Sequence, residues 1–90
     1  MALGILEVRG ITASIEAADA MAKTANITML GTQKIGNALI YIAVGGDVSG
    51  VKMAIAAGAQ IAAALGEVYA STVLPRPSQE VFQIVQIISK

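Results

Sequence analysis

The segment ITMLGTQKIGNALIYIAV, residues 27–44, contains the pattern that decides the fold of this chain. Two apolar runs, Ile27–Leu30 and Leu39–Val44, flank a short polar stretch whose tip has the sequence GNA. A positive φ costs little at Gly36 and is tolerated at Asn37, so the stretch predicts a tight turn between two antiparallel strands. The second run is apolar on both faces, which indicates a strand in the centre of its sheet.

The sequence around this hairpin predicts two further strands and three helices, in the order strand, helix, strand, strand, helix, strand, helix. That order predicts an α+β sandwich with helices on one sheet, formed as a single domain by residues 1–90. The predicted elements are Leu3–Arg9, Thr12–Ala25, Ile27–Gln33, Leu39–Val44, Val48–Leu65, Val68–Leu74 and a last helix that follows Ser78.

The predicted helices carry signals of how they pack. In the first helix, small and apolar residues recur at helical spacing and predict the inward face: Ile15, Ala18, Met21, Ala22 and Ala25. The Asp47 carboxylate is placed to accept from amides in the first turn of the second helix. Gly50 and Gly58 each cost roughly 1 kcal/mol in an open helix, so they indicate close packing. The last helix has a wide apolar face, which predicts docking on its own domain or on a neighbour: Val81, Phe82, Ile84, Val85 and Ile88.

The composition predicts that the chain buries surface against other copies of itself. Ninety residues and 9.1 kDa correspond to a folded surface of roughly 4,900 Å². Only 13% of the residues are charged, against about 25% in an ordinary soluble domain, and 56% are apolar. So few charged side chains cover that surface poorly, and association of copies is the expected relief.

The apolar composition does not indicate a membrane protein. The longest stretch without a charge, Met53–Gly66, has 14 residues and includes Gln60, whereas a spanning helix needs about 20. The beginning of the sequence lacks the basic-then-apolar pattern of an export signal. We therefore predict a cytosolic protein with no membrane partner.

The residue types also exclude several functions. Six basic residues are scattered along a chain of zero formal net charge with three aromatic residues, so we expect no nucleic-acid partner. The chain contains no cysteine and no histidine, which removes disulfides, a thiol nucleophile, the usual metal ligands and the usual general base. We therefore expect no metal site of the usual kind, and an enzyme with this composition would have to use a carboxylate or a lysine as its catalyst.

Glu7 and Arg9 lie two residues apart on the first predicted strand. We expect ion pairing across strands or between subunits here, rather than a charged active site, and such pairs are worth little when exposed. Glu67, which follows the helix-ending Gly66, is expected to be a further partner in such a pair.

A series of short motifs occurs in a fixed order between about Leu3 and Pro77. The motifs are LGILEVRG (3–10), EAADAMAK (16–23), KIGNA (34–38), GDV (46–48), VK (51–52), AGA (57–59), GEV (66–68) and LPRP (74–77). Each motif is weak alone, but together they resemble the hexamer-forming shell proteins of bacterial microcompartments. The resemblance implies the microcompartment-shell fold, an α+β domain in which helices pack on a four-stranded antiparallel sheet.

The resemblance also implies a pore at the turn of the hairpin. In the family this turn from six copies meets on the symmetry axis and lines a hole for small metabolites, and Gly36, Asn37 and Ala38 match those positions. A ring of amides offers both donors and acceptors, which suits small polar solutes. The family usually has a second glycine where Ala38 stands.

Two further matches imply an edge between neighbouring hexamers. Lys23 and Arg76 correspond to the lysine and arginine that lie in this seam, although each would otherwise be read as an ordinary exposed charge. Three positions depart from the family, which usually has arginine, aspartate and histidine where this chain has Gly45, Ala56 and Ser78.

The function implied is therefore a structural, non-enzymatic shell subunit that needs no cofactor and no metal and lies in the microcompartment shell in the cytoplasm. It would form a homohexamer, contact neighbouring hexamers and other shell proteins, and pass small metabolites through its pore. Two alternatives come from other classes: a small regulatory domain that binds a metabolite at a subunit interface, and an enzyme whose catalyst is a carboxylate or lysine. A metabolite would stabilise the regulatory domain, whereas a shell subunit would form sheets or tubes.

Overall fold

The computed structural model describes residues 1–88, with side chains as far as Val85. Its elements follow the predicted order, and the long second helix has the predicted bounds. The elements are β1 Ala2–Arg9, α1 Ile11–Ala22, β2 Ile27–Gly36, β3 Leu39–Gly46, α2 Val48–Leu65, β4 Glu67–Leu74 and α3 Gln79–Ile88.

The four strands form one antiparallel sheet in the order β2-β3-β1-β4. β3 lies between β2 and β1, which confirms its predicted central position. At one end of the sheet, Arg9 is opposite both Leu39 and Glu67. The β2–β3 turn therefore lies beside the end of β1 and the start of β4, and we call this end of the sheet the turn end.

The opposite end of the sheet, which we call the far end, holds the starts of β1 and β2 and the ends of β3 and β4. Ala2 and Ile27 both lie opposite Gly46, and Leu74 lies opposite Leu3. The chain thus enters β2 from α1, and leaves β4 towards α3, at the far end. Because β1 has eight residues, the two ends are about 25 Å apart.

One face of the sheet is covered by α1 and α2, and the main core lies between them and the strands. The side chains that the strands supply to this core are fully buried or nearly so: Leu6, Val8, Ile40, Ile42 and Val44. The alternation of these positions places them on one side of the pleated sheet.

The other face is covered by α3, so the last helix docks on its own sheet. Val85 is buried and packs with Tyr41 and Ala43, and the Tyr41 hydroxyl donates a hydrogen bond to the Val85 carbonyl at 3.2 Å. Ile84 is 55% exposed, so this chain covers the predicted apolar face only in part. The side chain of Ile88, which belongs to the same prediction, lies outside the described residues.

The first helix packs only partly through the predicted face, since Met21 is buried and Ala18 packs against the core as predicted. It ends at Ala22 rather than Ala25, and Ile15 is 63% exposed, so the predicted stripe is wrong at these positions. The buried apolar residues of α1 are Ala13, Ala17 and Met21. Methyl-sized side chains let the helix backbone lie close to the core, where a branched side chain would hold it away.

Asp47 occupies the N-cap position of α2, as predicted, but the predicted capping bond is wrong. Its carboxylate accepts a hydrogen bond from the Ser49 hydroxyl at 2.8 Å instead of capping the helix. A hydroxyl two residues along the chain competes with backbone amides for the same oxygen atoms, and here the hydroxyl is the donor.

The glycines of α2 allow close packing, which confirms their interpretation. A Cβ at Gly58 would lie 2.6 Å from the Met21 sulfur, and a Cβ at Gly50 would lie 2.8 Å from the Ala25 carbonyl oxygen. Both distances are too short for a real contact, so α1 and the segment that follows it approach α2 only because these side chains are absent.

Within residues 1–88, α2 is the one helix that is long and apolar enough to cross a membrane by length and composition alone. It is longer than the charge-free stretch because it includes Lys52. In the fold, Val51, Ala54 and Ala62 are fully buried in the main core. This is the placement of an amphipathic helix against a sheet.

Gly46→Ala should destabilise the fold far more than Gly36→Ala. The two glycines have similar positive φ angles, 148° and 156°, so alanine is strained at either position. A Cβ at Gly46 would also overlap the carbonyl oxygen of Asn26, whereas a Cβ at Gly36 meets no atom of the described residues within 4 Å. We expect the free energy of unfolding to fall by about 1 kcal/mol for Gly36→Ala and about 3 kcal/mol for Gly46→Ala. Urea denaturation measures both, and equal losses would contradict a steric role for Gly46.

Candidate functional site

Asn37 and Ala38 form the tip of the β2–β3 turn, between the paired residues Gly36 and Leu39. The positive φ angles fall at Gly36 and at Ala38, where φ is 57°, so the left-handed residue of the tip is Ala38 rather than Asn37. A residue with a Cβ in this region costs roughly 1–2 kcal/mol, which glycine would avoid. The turn therefore stores backbone strain at Ala38.

Two hydrogen bonds from the end of β1 hold this turn. The Gly10 amide donates to the Ala38 carbonyl at 2.8 Å, and Nη1 of Arg9 donates to the Asn37 carbonyl at 3.2 Å. Both bonds use backbone oxygens of the turn, and Gly36 and Asn37 are exposed. The tip thus presents an amide side chain to solvent on a backbone that is tied to the sheet.

The guanidinium of Arg9 also contacts β4. Its Nη2 donates to the Tyr69 hydroxyl at 2.8 Å, and its central carbon lies 5.0 Å from the centre of the Tyr69 ring. Its Nε lies 3.8 Å from Oε1 of Glu67. Of the two predicted possibilities, a cross-strand and an intersubunit ion pair, Arg9 makes the cross-strand one, and Glu67 supplies the carboxylate.

The sequence pattern does not identify Arg9, Gly10 and Tyr69 as residues of this site. Arg9 and Asn37 are 28 residues apart, and Arg9 and Tyr69 are 60 apart. Their proximity depends on β1 lying between β3 and β4, which no local periodicity encodes. The sequence does predict that the first strand ends at Arg9 and Gly10.

Lys23 lies at the C-terminus of α1, in the connection that enters the sheet at the far end. Its ammonium donates to the Asp19 carboxylate at 2.8 Å, and its side chain is 75% exposed. This hydrogen bond, with the attraction to the same carboxylate, raises the pKa of Lys23 above its usual value. The group is therefore a charged and accessible ammonium at neutral pH.

Arg76 is exposed in the segment that leaves β4 at the far end. Pro75 and Pro77 restrict the backbone on either side of it. The structure thus places Arg76 at the same end of the sheet as the connection that carries Lys23, and the turn of Asn37 at the opposite end.

Two open cavities flank α3. One of about 580 Å³ is lined by Met1, Leu30, Pro77, Gln79, Phe82 and Gln83. The other, of about 300 Å³, is lined by Ile5, Glu7, Ile35, Tyr41, Val81, Ile84 and Val85. The second lining includes the Glu7 carboxylate and the Tyr41 hydroxyl, and that hydroxyl donates to the Val85 carbonyl. Among the described residues, no group of three acidic, histidine or cysteine side chains is placed to hold a metal ion.

Comparison with known proteins identifies a family that this chain matches. Residues 2–77 match the family model described as BMC domain. The bacterial microcompartment shell protein PduA of Citrobacter freundii is 51% identical over 84 residues, which are 93% of this chain and 90% of PduA. The carboxysome shell protein CcmK2 of Thermosynechococcus vestitus is 39% identical over 89 residues, 97% of this chain and 87% of CcmK2.

A solved structure is similar over nearly the whole chain. The crystal structure of a microcompartment protein from Desulfitobacterium hafniense matches with a TM-score of 0.85 and 28% sequence identity. The match covers 99% of this chain and 48% of that protein, so this chain spans about half its length.

Proposed function

We propose that this chain, which belongs to the BMC domain family of bacterial microcompartment shell proteins, forms a cyclic homohexamer that tiles into a shell with a central pore. The chain is a structural shell subunit, and its place is the microcompartment shell in the cytoplasm. Beyond membership of the family, we propose the ring of six, the central pore, the residues of each contact and a role without catalysis. In a closed ring of six copies, every copy makes the same head-to-tail contact with its neighbours.

The separation of the candidate residues along the sheet is the observation that carries this proposal. The turn of Gly36, Asn37 and Ala38 lies at one end of the sheet, and Lys23 and Arg76 belong to segments at the other end. A tile needs its pore at the centre and its lattice contacts at the rim. With the turn end towards the axis, the sheet of one protomer, about 25 Å along its strands, spans from pore to rim.

The surface of the chain supports assembly. Its accessible area is 5105 Å², close to the value that chain length predicts. Seven large apolar side chains in the described part of the chain are more than half exposed: Met1, Ile11, Ile15, Met53, Leu65, Tyr69 and Ile84. Single exposed apolar residues are ordinary, but this number on a small chain with few charges favours burial against other copies.

The chemistry of the turn supports passage of small polar solutes. Asn37 presents an uncharged amide, which can donate and accept hydrogen bonds without holding an ion tightly. Because the turn is held through backbone carbonyls, its side chains are available to the solute. Six copies would repeat the same amide around one constriction.

The chemistry of Lys23 and Arg76 supports a contact between rings. A lysine can lay its apolar stem along a neighbour while its ammonium donates to carbonyl oxygens. Arg76 offers a planar group with several donors on a stiff proline-flanked segment. Both residues are exposed in the single chain, so both are accessible to a neighbouring hexamer and to other shell proteins.

Light scattering and electron microscopy of the purified protein test this function. Six chains of 9.1 kDa give a ring of about 55 kDa, so we expect that mass or assemblies built from it, with sheets or tubes in micrographs. A well-behaved monomer of 9.1 kDa would overturn the proposal. A small closed oligomer whose unfolding temperature rises with a metabolite would support the regulatory alternative instead.

Lys23→Ala should leave the ring intact and suppress sheets. The change removes an exposed stem and ammonium, together with a helix-surface ion pair that contributes little to folding. Lys52→Ala is the matched control, since Lys52 is an exposed lysine of α2 with no proposed contact. Scattering reports the ring and microscopy reports the sheets. If Lys23→Ala and Lys52→Ala tile equally well, Lys23 is an ordinary surface lysine.

Asn37→Glu should reduce the passage of anions, whereas Asn37→Gln should not. The two variants have side chains of the same size, so they differ in charge alone. Up to six carboxylates around one constriction repel anions, and some of them would take up protons to relieve the crowding. Uptake of an anionic and a neutral solute into assembled shells measures the effect, after scattering confirms equal masses. The same uptake ratio in both variants would remove Asn37 from the transport path.

A further inference from the structure

The guanidinium of Arg9 lies where three strands meet at the turn end of the sheet. It donates to the Asn37 carbonyl of the β2–β3 turn and to the Tyr69 hydroxyl of β4, and it pairs with the Glu67 carboxylate. No other side chain in the described part of the chain has a hydrogen bond to the turn residues 36–38. We infer that Arg9 is a positioning residue, which fixes the turn against β4.

The chemistry of arginine suits this role because the three partners lie in different directions. Nη1, Nη2 and Nε each face a different group, at 3.2, 2.8 and 3.8 Å. A planar guanidinium presents donors in a rigid fork, so fixing one contact helps to fix the others. A lysine ammonium carries the same charge on a flexible stem and lacks this fork. The cation–π contact of Arg9 with the Tyr69 ring further limits its rotation.

Beyond the pairing of Gly36 with Leu39 that closes the hairpin, the turn depends on restraint from β1. Ala38 has a strained left-handed backbone, and a Cβ at Gly36 would meet no described atom within 4 Å. The bond from the Gly10 amide to the Ala38 carbonyl adds a second hydrogen bond from the end of β1 to the tip. Arg9 and Gly10 are adjacent, so the end of β1 donates hydrogen bonds to two successive carbonyls of the tip.

The consequence for transport rests on the proposed function. If the turns of six copies surround the pore, then the bond from Arg9 to the Asn37 carbonyl sets how far each turn reaches towards the axis. The pore dimension then depends on Arg9, which lies outside the proposed pore-lining residues and is itself held by Tyr69 and Glu67 of β4. Loss of Arg9 would let the turn move and would reduce discrimination between solutes of different size.

Hydrogen exchange at the Gly10 amide tests the positioning role, since this amide donates to the Ala38 carbonyl and reports whether the turn is docked. In Arg9→Met, which keeps the apolar stem, we expect exchange at Gly10 to accelerate about tenfold relative to the intrinsic rate, the scale of one lost hydrogen bond to a charged group. Arg9→Lys should accelerate it nearly as much, because charge alone does not restore the fork. Tyr69→Phe, which removes one partner and keeps the ring, should give a smaller acceleration in the same direction.

Amides of the central strand β3 serve as the internal reference, and Lys52→Met serves as the matched control for loss of an exposed cation. The inference is overturned if Gly10 exchange in Arg9→Met equals that of the wild type. It is also overturned if β3 amides accelerate by the same factor, which would mean general destabilisation, or if Arg9→Lys fully restores protection, which would mean that charge alone acts.

The exchange measurement does not depend on assembly, so the two proposals can fail separately. A Gly10 response in a protein that forms no ring would overturn the proposed function and leave Arg9 as the residue that positions the turn. In rings of unchanged mass, shells of Arg9→Met should lose part of the wild-type preference for a small over a large neutral solute. An unchanged preference, with the turn released, would overturn the link between Arg9 and pore size.

Discussion

Burial of both faces of β3 is the constraint on which the rest of the fold depends. Ile42 and Val44 point to the core beneath α1 and α2, while Tyr41 and Ala43 point to the core beneath α3. Burying an aliphatic side chain of this size contributes about 1.5–3 kcal/mol, so neither face can be left to water without a large loss. The strand must also be paired on both edges, which places β2 and β1 on either side of it. Helices on both faces follow from the same requirement.

Small residues determine how closely the helices cover that strand. Ala13 and Ala17 face the core from α1, and Gly58 allows Met21 to pack against α2. Close packing of small residues leaves fewer large apolar side chains inside, and several of them, such as Ile15 and Met53, lie on the surface. Packing through small residues thus makes the single chain compact and also leaves apolar surface exposed, which favours burial against other chains.

At the turn end of the sheet, a strained backbone is held in place by hydrogen bonds from β1. The β2–β3 turn carries its left-handed residue at Ala38, and its carbonyls are held by the adjacent residues Arg9 and Gly10. Local strain persists only where the surroundings over-determine the conformation. Here the surroundings are an arginine fork that reaches from β1 to Tyr69 of β4. A backbone held in this way can present side chains such as Asn37 at a defined position without depending on what those side chains are.

The sequence by itself determined the element order, the bounds of α2, the central position of β3 and the family, because these follow from local periodicity, turn residues and motif order. The tertiary structure alone decided which side chains meet. Ile15 lies outside, Asp47 accepts from Ser49, and Arg9 joins residues 28 and 60 positions away. Periodicity describes the conformation of one segment, whereas a contact between segments depends on strand order, register and helix rotation. Those quantities are set by packing of the whole core, so the pattern of any single segment does not contain them.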